Sequence, residues 1–248
     1  MTLPARTVPL VNPDERTGLV SRPWYAALTA LFAQVLAGAF DSLTLDKASG
    51  GGIKVDLDSP TYGWRDLLST FHTRSAGLAT PSFAAYAGTS VYAYFMSNAA
   101  TQELFIEFHL THDYVPGSDI FIHVHWSQTT VDSGGLGGIP GQVKFNFDVL
   151  YAKGHQQQAF PAAVTTVSVT QTASETVRQH MIPEVQLSTN GAIGGNDLEV
   201  DGIILCRVWR DPTDAADTLD QVPWMHFGDI HYQSTNMATK QKSFPFYT

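Results

Sequence analysis

The residues best suited to chemistry in this sequence are histidines and aspartates. His123 and His125 stand two apart in the run His123-Val124-His125-Trp126. On a β-strand, residues i and i+2 project from the same face, so the two imidazoles can address one point. Strand histidines paired in this way hold zinc or iron when a neighbouring strand supplies a third ligand. His109 and His112, within residues 107–112, are on offer as that ligand, although no spacing compels either to converge. The plainer reading makes His123 and His125 exposed or hydrogen-bonded residues on the outer face of one strand. We therefore expect neither a resident metal nor any other cofactor.

A second cluster comprises Asp211, Asp214, Asp217 and Asp220. Spacing of three puts carboxylates on one side of a helical turn, and oxygen-rich sites of that kind can hold Ca²⁺. The run lacks the EF-hand glycine and glutamate. A short helix opened by Asp211-Pro212, with acids near its positive end, accounts for the same residues without an ion. The single cysteine, Cys206, lies in the apolar run 203–209 and reads as a packing residue. One thiol supplies neither an internal disulfide nor a zinc-finger ligand set. There is no nucleophile elbow, P-loop or dinucleotide fingerprint. The chain is expected not to be an enzyme, with a metal-dependent enzyme using His123 and His125 as the distant alternative.

The elements that carry these residues are strands. In 120–127, Ile120, Ile122, Val124 and Trp126 share one face, opposite Phe121, His123, His125 and Ser127. In 143–151, Val143, Phe145, Phe147, Val149 and Tyr151 line a core face opposite Lys144, Asn146 and Asp148. Further strands are expected near 53–57, 91–96, 104–110, 164–170, 176–182, 202–209 and 224–232. Short alternating segments without a βαβ rhythm predict a mainly β fold, a jelly-roll-like β-sandwich occupying residues 41–248. The glycine-rich stretches 132–141 and 188–197 read as exposed loop tips.

Ahead of this body, residues 1–22 read as an extended arm, because Pro4, Pro9 and Pro13 fix φ and remove backbone donors. Residues 23–40 read as a helix with Ser21 as N-cap, Pro23 in its first turn and Gly38 at its end. Trp24, Leu28, Leu31 and Val35 recur at spacings of four, three and four, the seam of a short coiled coil. The stripe packs either on its own domain or on copies of itself around an axis. Gly50, Gly51 and Gly52 signal a hinge after it.

Composition narrows the classes of function. Of 248 residues, 44% are hydrophobic and only 15% charged, which excludes a disordered chain. The net charge of −9 repels phosphate backbones and argues against nucleic-acid binding. The arm itself is net positive, so the acidity belongs to the body. The most apolar stretch, 24–40, contains Thr29 and Gln34 and is too short to span a bilayer. The prolines and acids at the N-terminus do not match a secretory signal.

Two runs carry a family resemblance. Residues 112–127, from His112-Asp113-Tyr114-Val115-Pro116 through Ile120-Phe121-Ile122-His123-Val124-His125-Trp126, and the run Asp229-Ile230-His231-Tyr232-Gln233-Ser234-Thr235-Asn236 resemble segments of structural proteins of tailed bacteriophages. Val8-Pro9-Leu10-Val11-Asn12, with Gly18-Leu19-Val20 and Trp24-Tyr25, also resembles the N-terminal segment of phage tail and fibre proteins. The resemblance extends from about residue 62 to 242, and more loosely over the arm. It implies a virion protein made in the host cytoplasm. Its expected position is the tail, as a trimeric fibre or appendage; a head fibre or capsid decoration protein is the alternative. Trp24, Leu28, Leu31 and Val35 would then join the trimer, and Val8, Pro9, Leu10 and Val11 would anchor it to other virion proteins. Exposed aromatics stack on sugar rings, which adds host surface glycan as a candidate partner, though no signature selects a site.

Overall fold

A computed structural model of the chain describes residues 28–30, the backbone of 42–47 and 51–56, and residues 62–74, 79–132 and 140–235. The chain forms two compact units, Met1–Thr61 and Tyr62–Thr248. In the first, residues 28–30 are helical, with Leu28 half-buried. Two strands, β1 (Ser42–Lys47) and β2 (Gly51–Asp56), pair as an antiparallel hairpin. Gly51 and Gly52, expected in a hinge, open strand β2.

The second unit is built from strands β3 (Gly63–Ser69), β4 (Ser82–Ala85), β5 (Tyr92–Phe95), β6 (Gln102–His109), β7 (Phe121–Ser127), β8 (Gln142–Ala152), β9 (Thr165–Thr172), β10 (Glu184–Gln186), β11 (Ala192–Ile193), β12 (Asn196–Asp197), β13 (Ile203–Arg210) and β14 (Trp224–Ser234). One sheet runs β10-β7-β14-β5-β4, with β3 also pairing with β14; the other runs β6-β13-β8-β9. All these pairings are antiparallel. Set aside the β4–β5 hairpin and the short β11–β12 pair, and eight strands remain. In chain order they occupy places 1-8-3-6 in one sheet and 2-7-4-5 in the other, which is the strand order of a jelly roll.

The interior is filled by the expected alternation. Val143, Phe145, Phe147, Val149 and Tyr151 of β8 and Ile122, Val124 and Trp126 of β7 are fully buried in one cluster with Ile204 and Val208 of β13. Deleting any of these side chains would leave a cavity at a cost of roughly 2–5 kcal/mol. Cys206 is buried in the same cluster, and burial pushes its thiol pKa far upward, so it is a packing residue as expected.

Two expectations give way to turns and packing. Residues 176–182, expected as a strand, form turns and join the sheet by a single bridge, between Met181 and Trp126. The stretch 188–197, expected as an exposed tip, contains the β11–β12 pair and packs inward, with Ser188 and Ile193 buried. Gly191 explains why: at φ +66°, a Cβ there would stand 2.5 Å from Gly117 Cα, so the loop lies directly on the turn before β7. In 132–141, Asp132 is buried and accepts a hydrogen bond from Gly141 N, so the ends of that loop are not exposed tips either.

The aspartate cluster is likewise not a helix. Residues 211–217 form successive turns, and Asp211, Asp214 and Asp217 each find a partner of their own. Asp211 caps Thr213 at 2.9 Å, Asp214 meets Lys144 Nζ at 2.6 Å, and Asp217 makes a fully buried bidentate pair with Arg210. These three carboxylates diverge to separate partners, and Asp220 accepts from Gln221 Nε2 at 3.0 Å.

Candidate functional site

Strands β7 and β14 lie side by side at the centre of the six-stranded sheet, in a register that sets Asp229 opposite His123 and Phe227 opposite His125. Strict alternation along β14 would not produce this face. Met225 is buried in the core, so period two would send Phe227 and Asp229 inward as well. A bulge between Met225 and Phe227 inserts one residue and flips the phase, turning Phe227, Asp229 and His231 to the outer face and Gly228 and Ile230 to the core. The same bulge leaves His226 beside the outer-face Ser127, with Nε2 2.8 Å from its Oγ.

The outer face is therefore not a solvated polar surface. His123 is 1% exposed, His125 7% and Asp229 3%. His125 Nε2 lies 3.2 Å from Asp229 Oδ1, and His123 Nε2 contacts the same oxygen more closely. His125 Nδ1 is 2.6 Å from Nε2 of His180, a residue of the turn segment that crosses this face. Phe227 stacks on His125 with ring centroids 3.9 Å apart. On the other side of His123, the Glu184 carboxylate of β10 contacts His231 Nδ1, and His231 Nε2 is 2.7 Å from Asp66 of β3. His123 Nδ1 makes no hydrogen bond, although Glu184 Oε2 is 3.5 Å away.

Electrostatics follows from this crowding. Burial, first, and then the neighbouring rings of His123 and His180 hold His125 below the usual imidazole range, against the pull of Asp229. His226 is depressed chiefly by burial, with His180 and His125 adding to it. Two groups of potential ligand atoms, each within 4.8 Å of one another, occur among the described residues: His123–His125–Asp229 and His123–Glu184–His231. A shallow cavity of about 350 Å³ lined by Trp64, Asp66, Phe121, Glu184 and His231 opens beside the second.

The histidines offered as third ligand go elsewhere. His109 and His112 approach Asp201 Oδ1 at 3.2 and 3.1 Å, and His155 reaches Oδ2 at 2.6 Å. They belong to a separate cluster beside β6 and β13. Sequence reasoning missed Asp229, Glu184, His180 and His231. One signal was available: Asp229 and His231 repeat on β14 the i, i+2 spacing of His123 and His125 on β7. Of the oligomerisation residues, Leu28 sits in the helical residues 28–30, whereas Trp24, Leu31 and Val35 lie outside the described residues, as do the anchoring residues Val8, Pro9, Leu10 and Val11.

No protein-family model matches the chain, and neither does any curated protein. Among solved structures it is similar to TmCBM61 in complex with β-1,4-galactotriose, at 11% identity over 67% of this chain and 86% of that one, with a TM-score of 0.29. It is also similar to the Eiger TNF from S. frugiperda, at 9% identity over 72% and 99% of the two chains, with a TM-score of 0.25. A further similarity is to the stem and receptor-binding domain of spike protein P1 from bacteriophage PM2, at 10% identity over 75% of each chain, with a TM-score of 0.23. At such scores the fold rests on the chain's own strand order.

Proposed function

We propose that the chain is a non-catalytic structural component of a tailed-phage virion, built as an oligomeric tail appendage. The arm 1–22 would dock it to other virion proteins, and Trp24, Leu28, Leu31 and Val35 would form the self-association seam. The observation that carries this reading is the meeting of the two segments whose sequences resemble phage structural proteins. They are about a hundred residues apart, yet residues 113–115 and 121–123 of the first pair with residues 229–235 of the second. Thr235 N donates to Asp113 O at 2.8 Å and Val115 N to Gln233 O at 2.9 Å, and β7 then pairs with β14 as far as Ser127 and Trp224. The resemblance thus falls on one contiguous piece of the fold and not on two scattered strings. A jelly roll with a filled interior and an acidic body supports a building block more than a catalyst or a nucleic-acid binder.

Quantitative peptide counting on purified particles of the phage encoding this chain tests the reading. A copy number that is a small multiple of three, lost when residues 1–22 are deleted, is expected. Hundreds of copies would favour head decoration, and absence from the particle would overturn the assignment. Light scattering tests the seam: Leu28→Asp with Leu31→Asp would bury charge between copies and should convert trimers to monomers.

A further inference from the structure

We propose that His123, His125 and Asp229 bind a divalent transition-metal ion of the zinc class, held on the outer face of the sheet between β7 and β14. The inference is independent of where the protein sits in a particle. Both Nε2 atoms converge on Asp229 Oδ1, and the three ligand atoms lie within 4.8 Å of one another. A tetrahedral ion with bonds of about 2.0–2.2 Å spaces its ligands about 3.3–3.6 Å apart; His125 Nε2 and Asp229 Oδ1 stand 3.2 Å apart, whereas His123 Nε2, now in direct contact with that oxygen, has to draw back from it to admit the ion. The three side chains stand on the two central strands, whose register and bulge fix their direction.

The hydrogen-bond pattern around His123 gives a second reason. Donation from His123 Nε2–H to Asp229 leaves Nδ1 as a bare, buried acceptor, facing another acceptor, Glu184 Oε2, at 3.5 Å. An ion on Nε2 moves the proton to Nδ1, where it points toward that carboxylate. Buried ligand histidines are held in this way, by a second contact on the nitrogen that does not bind metal. His125 has the matching arrangement, with His180 Nε2 2.6 Å from its Nδ1. Two imidazoles and one carboxylate suit zinc and its first-row neighbours better than Ca²⁺ or Mg²⁺.

The test uses the full chain, stripped with a chelator and titrated calorimetrically with Zn²⁺. One equivalent should bind. His125→Gln should weaken binding at least about 100-fold, and His180→Phe about 10-fold, in line with losses of second contacts at other metal sites. His109→Gln, beside Asp201, should leave the stoichiometry unchanged. Histidine ¹⁵N spectra of the unmutated chain keep the test open should a variant misfold: Zn²⁺ should shift the Nε2 resonances of His123 and His125 specifically. No saturable binding below about 100 μM Zn²⁺ would overturn the proposal. So would binding that survives His125→Gln, or ¹⁵N shifts confined to the histidines around Asp201.

Discussion

Replacing Asp217 with alanine should be among the most damaging single changes in the body. Arg210 is wholly buried, and its guanidinium is fully engaged. Nε and Nη2 donate to Asp217 at 2.8 Å each, and the remaining bonds go to the carbonyls of Leu219 at 2.7 Å, Gln221 at 3.1 Å and Ser97 at 3.2 Å. Removing the carboxylate strands two charged donors away from water, at about 1–3 kcal/mol each. The sum centres on about 4 kcal/mol, which agrees with the roughly 3–5 kcal/mol measured when one partner of a buried ion pair is removed. For a domain of this size, that lowers Tm by about 8–16 °C. Urea unfolding of the full chain should show a lower midpoint at unchanged slope. Removing both charges, by Arg210→Met with Asp217→Leu, should recover part of the loss. A cost below about 1 kcal/mol for Asp217→Ala would refute the reasoning, as would stability that rises on adding Ca²⁺, because the ion-pair account gives these aspartates no cation to bind.

Two further perturbations probe other joints of the fold. Gly191→Ala should cost about 3 kcal/mol in urea unfolding, since its Cβ would strike Gly117 from a left-handed backbone, whereas Gly88→Ala, at φ +74° with nothing within 4 Å, should cost about 1 kcal/mol. Burial raises the Glu103 pKa, but hydrogen bonds from Arg74 and Arg207 outweigh it and hold the carboxyl below its ordinary 4.5. A depressed carboxylate contributes stability above that value and loses it as pH falls, so acid titration of stability should drop below about pH 4.5 and Glu103→Gln should flatten that segment.

The sandwich was legible in the sequence because its central strands alternate apolar residues on the core side with polar ones on the other. Val143 to Tyr151 and Ile122 to Trp126 alternate without error, and their core sides are filled as read. Three kinds of feature were not legible. Short edge strands such as β4 and β10 carry too few residues to show a period. Packing of the 188–197 loop depends on two glycines meeting across about seventy residues of chain. The bulge at His226 reverses the facing of Asp229, and no local pattern announces it. For that reason the histidine pair was visible while its carboxylate partner was not. His109 and His112 had the right chemistry, but the turn before β13 brings them Asp201 instead.

The central claim, a virion building block, is tested most directly by a density map of the intact particle at a resolution that separates strands. The account predicts the jelly roll projecting from the tail in threefold-related copies, with residues 1–22 held by a neighbouring protein and the seam of Trp24, Leu28, Leu31 and Val35 on the threefold axis. A map of the complete particle in which no density accommodates the β3–β14 body would contradict it.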